Sequence, residues 1–392
     1  MNAWVNNIEA KLIDAAADLQ PELMQRSREI DHTRQLPQDI ADTMADLGFY
    51  RLVVPSDLGG LDVSPEGFFR VCETLAMANG SAGWCVFIGS TSQYLFGALP
   101  DTQLKAMLKN PNVITSGVFA DSGTALYQPR DGQPGYIING HWRWGSGCRN
   151  AEWISGGVHE IDANGERLKK RPALSRAFFT PDEIAIKDNW HVSGMRGSGS
   201  SDYVAENVWL PAERLTGDVE DTPNANKPIY RFAKFALLGM PIGAICMGMA
   251  QACITEVMQA AKEKTPQGSR RSLALRPSLH IDLAQADTAL RAARALFYNS
   301  VREGWENAQS APSSLDDRRN MRTANIHAVT TSINVIDKMY SVMGGNSVYE
   351  TSCLQQHFRD VHVASQHMMV GEPVMELAGR TMLDLDDQAL GL

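Results

Sequence analysis

Apolar residues recur along this chain with two different periods, and the change of period divides it into three stretches. Residues 1–115 read as helices: "MNAWVNNIEAKLIDAAADLQPELMQRSREID" keeps a helical period, "PQDIADTMADLGFY" opens with Pro37 in a first-turn position, and "SPEGFFRVCETLAMANGS" begins with another Ser-Pro pair. Residues 116–227 turn to short β-rich runs punctuated by glycine, among them "YIINGHWRW", "AEWISGGV", "SRAFFT" and "DYVAENVWLP". From 228 to 392 long helical patterns return. Ile326, Val329, Ile333, Ile336, Tyr340 and Met343 alternate steps of three and four, as do Leu283, Ala286, Leu290, Ala293 and Phe297, so each set forms one stripe on a helix. Such stripes pack helix against helix, and the polar "ENAQSAPSSLDDRRN" between them reads as an interhelical loop. The order gives an α+β class, mainly α: a helical N-terminal domain, a middle β domain and a C-terminal helical bundle.

One segment tests that division. "FALLGMPIGAICMGMAQACI", residues 235–254, is uncharged and long enough to span a bilayer. Gly239, Pro241, Gly243, Gly248 and Gln251 interrupt it and no basic cluster flanks it, so a buried bundle helix is expected and no membrane association. With 392 residues, 44% hydrophobic and 21% charged, the chain is globular and too long for one ordinary core. A formal charge of −9 without a dense Lys/Arg run argues against a nucleic-acid partner. Six cysteines lie far apart with no CxxC pair, and the N-terminus has no apolar signal core, which points to a cytoplasmic location. His357, His362 and His367 are spaced by five residues, which turns successive side chains about 140° apart on a helix. No metal site is expected from them.

Four strings, "LPQDIADTMADLGFYRLVVPSDLGGLDVSPEGF", "GYIINGHWRWGSGCRNAEW", "SGMRGSGSSDYVAENVWLPAERL" and "VMGGNSVYETSCLQQHFRDVH", resemble in order and spacing the signature segments of the acyl-CoA dehydrogenase superfamily. That resemblance implies an N-terminal helical domain, a middle β-barrel domain and a C-terminal four-helix bundle, with flavin between them and usually a homotetramer. A dehydrogenase of this kind needs a carboxylate to take the proton α to the thioester carbonyl. Counting from Arg359-Asp360 puts Met368 at the family's usual seat for that base, and the alternative seat, Arg231 to Gln251, has no Asp or Glu. Glu372 falls about one helical turn too late.

In Ser146-Gly147 after a strand, the "GMRGSGS" turn with Trp190 upstream of it, and His367 in "RDVHVASQH", the chain resembles instead the two-component flavin-dependent monooxygenases of the same superfamily. These take reduced FMN or FAD from a separate NAD(P)H flavin reductase, react it with O2 to a C4a-hydroperoxyflavin, and hydroxylate a small aromatic (phenolic or indole-like) substrate. By this resemblance Ser146 stands where a hydroxyl contacts the flavin near N5, and Trp144 where an aromatic stacks on it. His367 is the candidate acid/base, since an imidazole titrates near neutrality. In "NWHVSGMRGSGS", Trp190, Arg196, Ser198 and Ser200 suit a loop facing the ribityl and phosphate end of the flavin, without the strand–loop–helix context of a nucleotide-binding motif. Arg271 fits by position the arginine of the family's RxxF, with Ala274 in place of the Phe, and Gly345-Asn346 resembles the family's glycine pair near the cofactor across a subunit boundary. Trp84 and Phe119 are candidate substrate contacts beside His367, although aromatic positions of this kind also serve as core. Three other readings stay open: a dehydrogenase with an unrecognised base, an oxygenase acting on sulfur or nitrogen, and an assembly protein that has lost its flavin.

Overall fold

The computed structural model describes residues 6–169, 175–385 and 391–392. The helical run expected at the start is three helices, α1 (Asn7–Asp18), α2 (Gln20–Gln25) and α3 (Ser27–Thr33), and Pro21, which has no amide proton, opens the second of them. They are followed by α4 (Gln38–Asp46), α5 (Pro65–Ala78), α6 (Gly80–Gln93) and α7 (Asp101–Met107). Ser64 and Asn79 cap the central pair: the amide of Gly67 donates to Ser64 and that of Ala82 to Asn79.

Seven strands follow among the described residues: β1 (Thr115–Tyr127), β2 (Gly135–Gly145), β3 (Trp153–Ile161), β4 (Ser175–Phe179), β5 (Ala185–Ile186), β6 (Ser201–Pro211) and β7 (Leu215–Thr216). They make one mixed sheet in the order β5-β6-β2-β1-β3-β4-β7, in which only β1 and β3 run parallel. The expected barrel is thus a curled sheet with two short edge strands. The curl centres on Trp142, which is fully buried and stacks on Tyr203 at 5.4 Å. Its indole N–H donates to the carbonyl of Gly157 at 2.8 Å. A Cβ on Gly123, Gly140 or Gly156, one in each of β1, β2 and β3, would lie 2.3–2.5 Å from the indole. Three neighbouring strands therefore leave out a side chain so that one large ring can fill the inside of the curl.

The bundle comprises α8 (Pro228–Arg231), α9 (Lys234–Glu263), α10 (Pro277–Ala308), α11 (Leu315–Met343), α12 (Cys353–Ala364) and α13 (Glu372–Met382). The membrane-like segment lies in α9, where 83% of the most apolar window is buried inside the chain's own helices. Its apolar length serves the core: α9 packs against α5, α6, α11 and α12 at once. Pro241 removes one bond of its ladder, and in the same turn the buried Asn325 of α11 bridges two backbone groups, accepting from the amide of Gly243 and donating to the carbonyl of Gly239. Glu73 of α5 ties the N-terminal helices to the bundle by accepting from Tyr298 at 2.6 Å and Arg294 at 2.8 Å.

A second tie positions the loop between β5 and β6. From α12, Arg359 donates to the carbonyl of Ser193 at 2.7 Å, and Asp360 accepts from the amide of Met195 at 2.5 Å. Gly194 lies so close under α12 that a Cβ there would stand 2.2 Å from the carbonyl oxygen of Arg359. Burial pushes the Asp360 carboxyl up to about 7, against the pull of the Met195 amide and Arg359.

Two expectations follow. Gly156→Ala forces a methyl into the Trp142 ring, and its urea midpoint should show a loss of about 1–3 kcal/mol; an unchanged midpoint would mean that the indole does not shape the sheet. For Asp360, the folded state holds a proton that the unfolded chain releases near 3.8, so its contribution to stability is lost as pH rises from there through about 7. Asp360→Asn keeps an acceptor for Met195 and removes that loss. Its stability relative to the parent should rise across pH 4–7 and level off above, and a difference independent of pH would overturn the assignment.

Candidate active site

Trp144 and Ser146 stand at the end of β2, where the register with β6 slips between Trp142 and Gly145. Strand alternation would send Trp144 inward after Trp142. Its left-handed backbone, φ 63°, breaks the alternation and turns the indole out, leaving it 68% exposed. Asp202 holds this turn by accepting from the Trp144 amide at 3.3 Å. Two residues on, Ser146 is buried.

Around Ser146 a line of hydrogen bonds has a fixed direction. The indole N–H of Trp84, which can only donate, meets Ser146 Oγ at 3.0 Å. Ser146 Oγ lies 2.6 Å from Ser200 Oγ, and Ser200 Oγ 2.7 Å from Ser198 Oγ. Ser198 donates to the carbonyl of Met195 at 2.7 Å, and that oxygen can only accept. Since each hydroxyl has one proton, Ser200 must donate to Ser198 and Ser146 to Ser200. The Ser146 proton is thereby committed, and its oxygen faces any further neighbour as an acceptor.

His367 closes the other side of Trp84, the two rings meeting edge-on with centroids 5.9 Å apart. Its Nδ1 accepts from the amide of Met369 at 3.2 Å, which assigns the remaining ring proton to Nε2. Burial, with a smaller push from the Arg322 charge, brings the imidazole down to about 4. This corrects the expectation of a base titrating near neutrality. At pH 7 the ring is neutral, its one lone pair is occupied, and it presents an Nε2–H donor.

The other expected residues make the following contacts within the chain. Ser198 and Ser200 are buried and bonded inward behind Ser146. Arg196 is held by the N-terminal helices, donating to the carbonyl of Asp31 at 3.0 Å. Trp190 donates to the Met195 carbonyl at 3.1 Å, reinforcing the acceptor that ends the serine line. Phe119 lies under the Arg176 guanidinium, 4.9 Å from its ring centre. Arg271 and Gly345-Asn346 are exposed at one end of the bundle, where Lys264 donates to the carbonyl of Met343. No hydrogen bond or ring contact among the described residues joins them to Ser146 or His367. Met368 is 80% exposed, and Glu372 lies exposed at the start of α13. His357 is buried in the core and His362 bonds the carbonyl of Phe358, so the three histidines do not converge. Asp360, Met195 and Arg322 were not expected in the site, and the geometry brings them to its edge.

An exposed indole beside a buried acceptor and a neutral N–H donor fits a planar aromatic cofactor with both hydrogen-bonding capacities, as an isoalloxazine has. The comparisons agree. The model of the acyl-CoA dehydrogenase N-terminal domain matches residues 9–103, and that of the acyl-CoA dehydrogenase C-terminal domain matches residues 240–372. The indole-3-acetate monooxygenase of Pseudomonas putida is 29% identical over 358 residues, covering 90% of this chain and 89% of that protein. The oxygenase component of p-hydroxyphenylacetate 3-hydroxylase from Acinetobacter baumannii is 22% identical over 390 residues, covering 96% and 89%. For the fold, XiaF from Streptomyces sp., solved in complex with FADH2 and glycerol, superposes with a TM-score of 0.88 at 22% identity, covering 97% of this chain and 96% of that one. With its two helical domains matched and its sheet in the same arrangement, the chain belongs to the acyl-CoA dehydrogenase superfamily.

Proposed function

We propose that this protein is the oxygenase component of a two-component monooxygenase, which receives reduced FMN or FAD from a separate NAD(P)H flavin reductase and hydroxylates a small aromatic substrate with O2. The observation that carries this reading is the committed proton of Ser146. A serine free to rotate could donate or accept; this one accepts. Bound reduced flavin supplies the electrons that activate O2. Ser146 Oγ is suited to hold the proton on flavin N5, and a proton kept there suppresses loss of the reduced oxygen as hydrogen peroxide. Trp144 offers a face for the ring system, and Trp84 fixes the serine from behind. His367 Nε2–H donates to an oxygen, either of the activated oxygen or of the substrate, and its neutrality keeps it from delivering a second proton at pH 7.

The dehydrogenase alternative lacks its base. Neither Ser146, Trp84 nor His367 has a carboxylate in hydrogen-bond contact among the described residues. Relatives named for an activity include an indole-3-acetate monooxygenase, a p-hydroxyphenylacetate 3-hydroxylase oxygenase component and a flavin-dependent monooxygenase oxygenase subunit. Arg271 and Gly345-Asn346 are exposed, and a homotetramer of the family kind, in which such residues could meet a flavin held by a second copy, is part of this reading.

Incubation with reduced FMN or FAD, an aromatic substrate and 18O2 should yield product with one heavy oxygen. Label confined to hydrogen peroxide and water, or oxidation of an acyl-CoA without O2, would overturn the reading. Ser146→Ala should retain flavin and lower product formed per O2 consumed roughly five-fold, the equivalent of one hydrogen bond of about 1 kcal/mol; unaltered coupling would remove Ser146 from this role.

A further inference from the structure

Arg322 is the one large charged side chain among the biggest fully buried groups, with 1% of its surface exposed. It projects from α11 toward the start of α9 and the turn after α12. Nη1 donates to the carbonyl of Phe235 at 3.0 Å and touches the sulfur of Met369 at 3.8 Å. The Nε–H has no acceptor among the described residues. No carboxylate pairs with it there either, whereas Arg294 and Arg302, also partly buried, reach Glu73 and Glu66. One carbonyl and a thioether are a poor replacement for water around a guanidinium. Burying an uncompensated charge costs several kcal/mol, and burial drives the Arg322 pKa down to about 10.

The position of this charge gives it a use. Met369, which Nη1 touches, supplies the amide that holds His367 Nδ1. The guanidinium therefore lies one residue behind the ring that faces Trp84 and Ser146. Gly239 leaves room for it on the α9 side, where a Cβ would stand 2.5 Å from Nη1. Resting on the oxygenase reading above, we propose that Arg322 is the anion subsite of the substrate pocket and that the substrate is an aromatic carboxylic acid. The carboxylate arrives as the counterion that the folded chain lacks, and the planar fork of the guanidinium suits it geometrically. A neutral aromatic of the same ring leaves the cation unpaired and binds less well.

The test pairs an acid with the same ring lacking the carboxylate: indole-3-acetate against 3-methylindole, and p-hydroxyphenylacetate against p-cresol. Dissociation constants come from calorimetry on the full-length protein, with and without FMN. The parent should prefer the acid of at least one pair. Arg322→Met should weaken that acid about 10- to 100-fold, the range of a hydrogen-bonded charge pair, and leave its neutral partner unchanged or tighter. Arg322→Lys, which keeps the charge, should recover part of the affinity and serves if the methionine variant does not fold. Equal affinity of the parent for acid and neutral partner, with turnover of either, overturns the subsite and leaves the oxygenase reading standing. A variant that loses FMN binding while holding the acid assigns the anion to the flavin phosphate and likewise overturns it. Failure of every aromatic to bind or react removes both readings.

Discussion

The Met195 peptide is the point on which the site depends. Its amide is held by Asp360 of the bundle, and its carbonyl receives the hydroxyl of Ser198 and the indole of Trp190. A carbonyl cannot donate, so it sets the direction of every proton from Ser198 back to Ser146. The orientation of a hydroxyl in the sheet domain thus follows from a carboxylate in the bundle, through a loop that neither domain fixes alone. Met195 has a left-handed backbone, φ 53°, and Gly194 beside it can carry no side chain under α12, so this path tolerates little local variation.

Charge is arranged with the same economy around the site. Ser146 accepts, His367 donates while neutral, and the nearby permanent charge is Arg322, buried behind Met369. The loss of solvent and, to a lesser degree, the Arg322 charge act against an imidazolium at His367, so the ring stays a neutral donor over the physiological range. The Asp360 carboxyl, raised by burial, sits behind the loop and away from the reacting groups.

Much of the architecture is legible in the sequence. The stripe from Ile326 to Met343 lies on α11 and that from Leu283 to Phe297 on α10, because helix–helix packing writes itself as spacing. The curl of the sheet is not legible in this way: Gly123, Gly140 and Gly156 are far apart in sequence, and only strand pairing brings them to one indole. Ser198 and Ser200 read as hydroxyls of a loop facing the flavin, and left-handed turns at Met195 and Gly199 lie on either side of the buried Ser198. His367 was legible as a candidate site residue but not its charge state, which depends first on its burial and then on a buried arginine 45 positions away. Arg322 did leave a signal. It stands four residues before Ile326 and seven before Val329, on the apolar stripe itself, where a charged residue is out of place.

The most direct test of the account is the ratio of hydroxylated product to hydrogen peroxide in Ser200→Ala, since Ser200 is buried and takes the Ser146 proton. Without Ser200, the Ser146 hydroxyl regains a free proton and can donate toward the flavin instead of accepting from it. The ratio should fall toward that of Ser146→Ala while the affinity for reduced flavin stays close to that of the parent. A ratio equal to the parent's would show that the direction of the serine line does not govern the chemistry, and the central claim would fail.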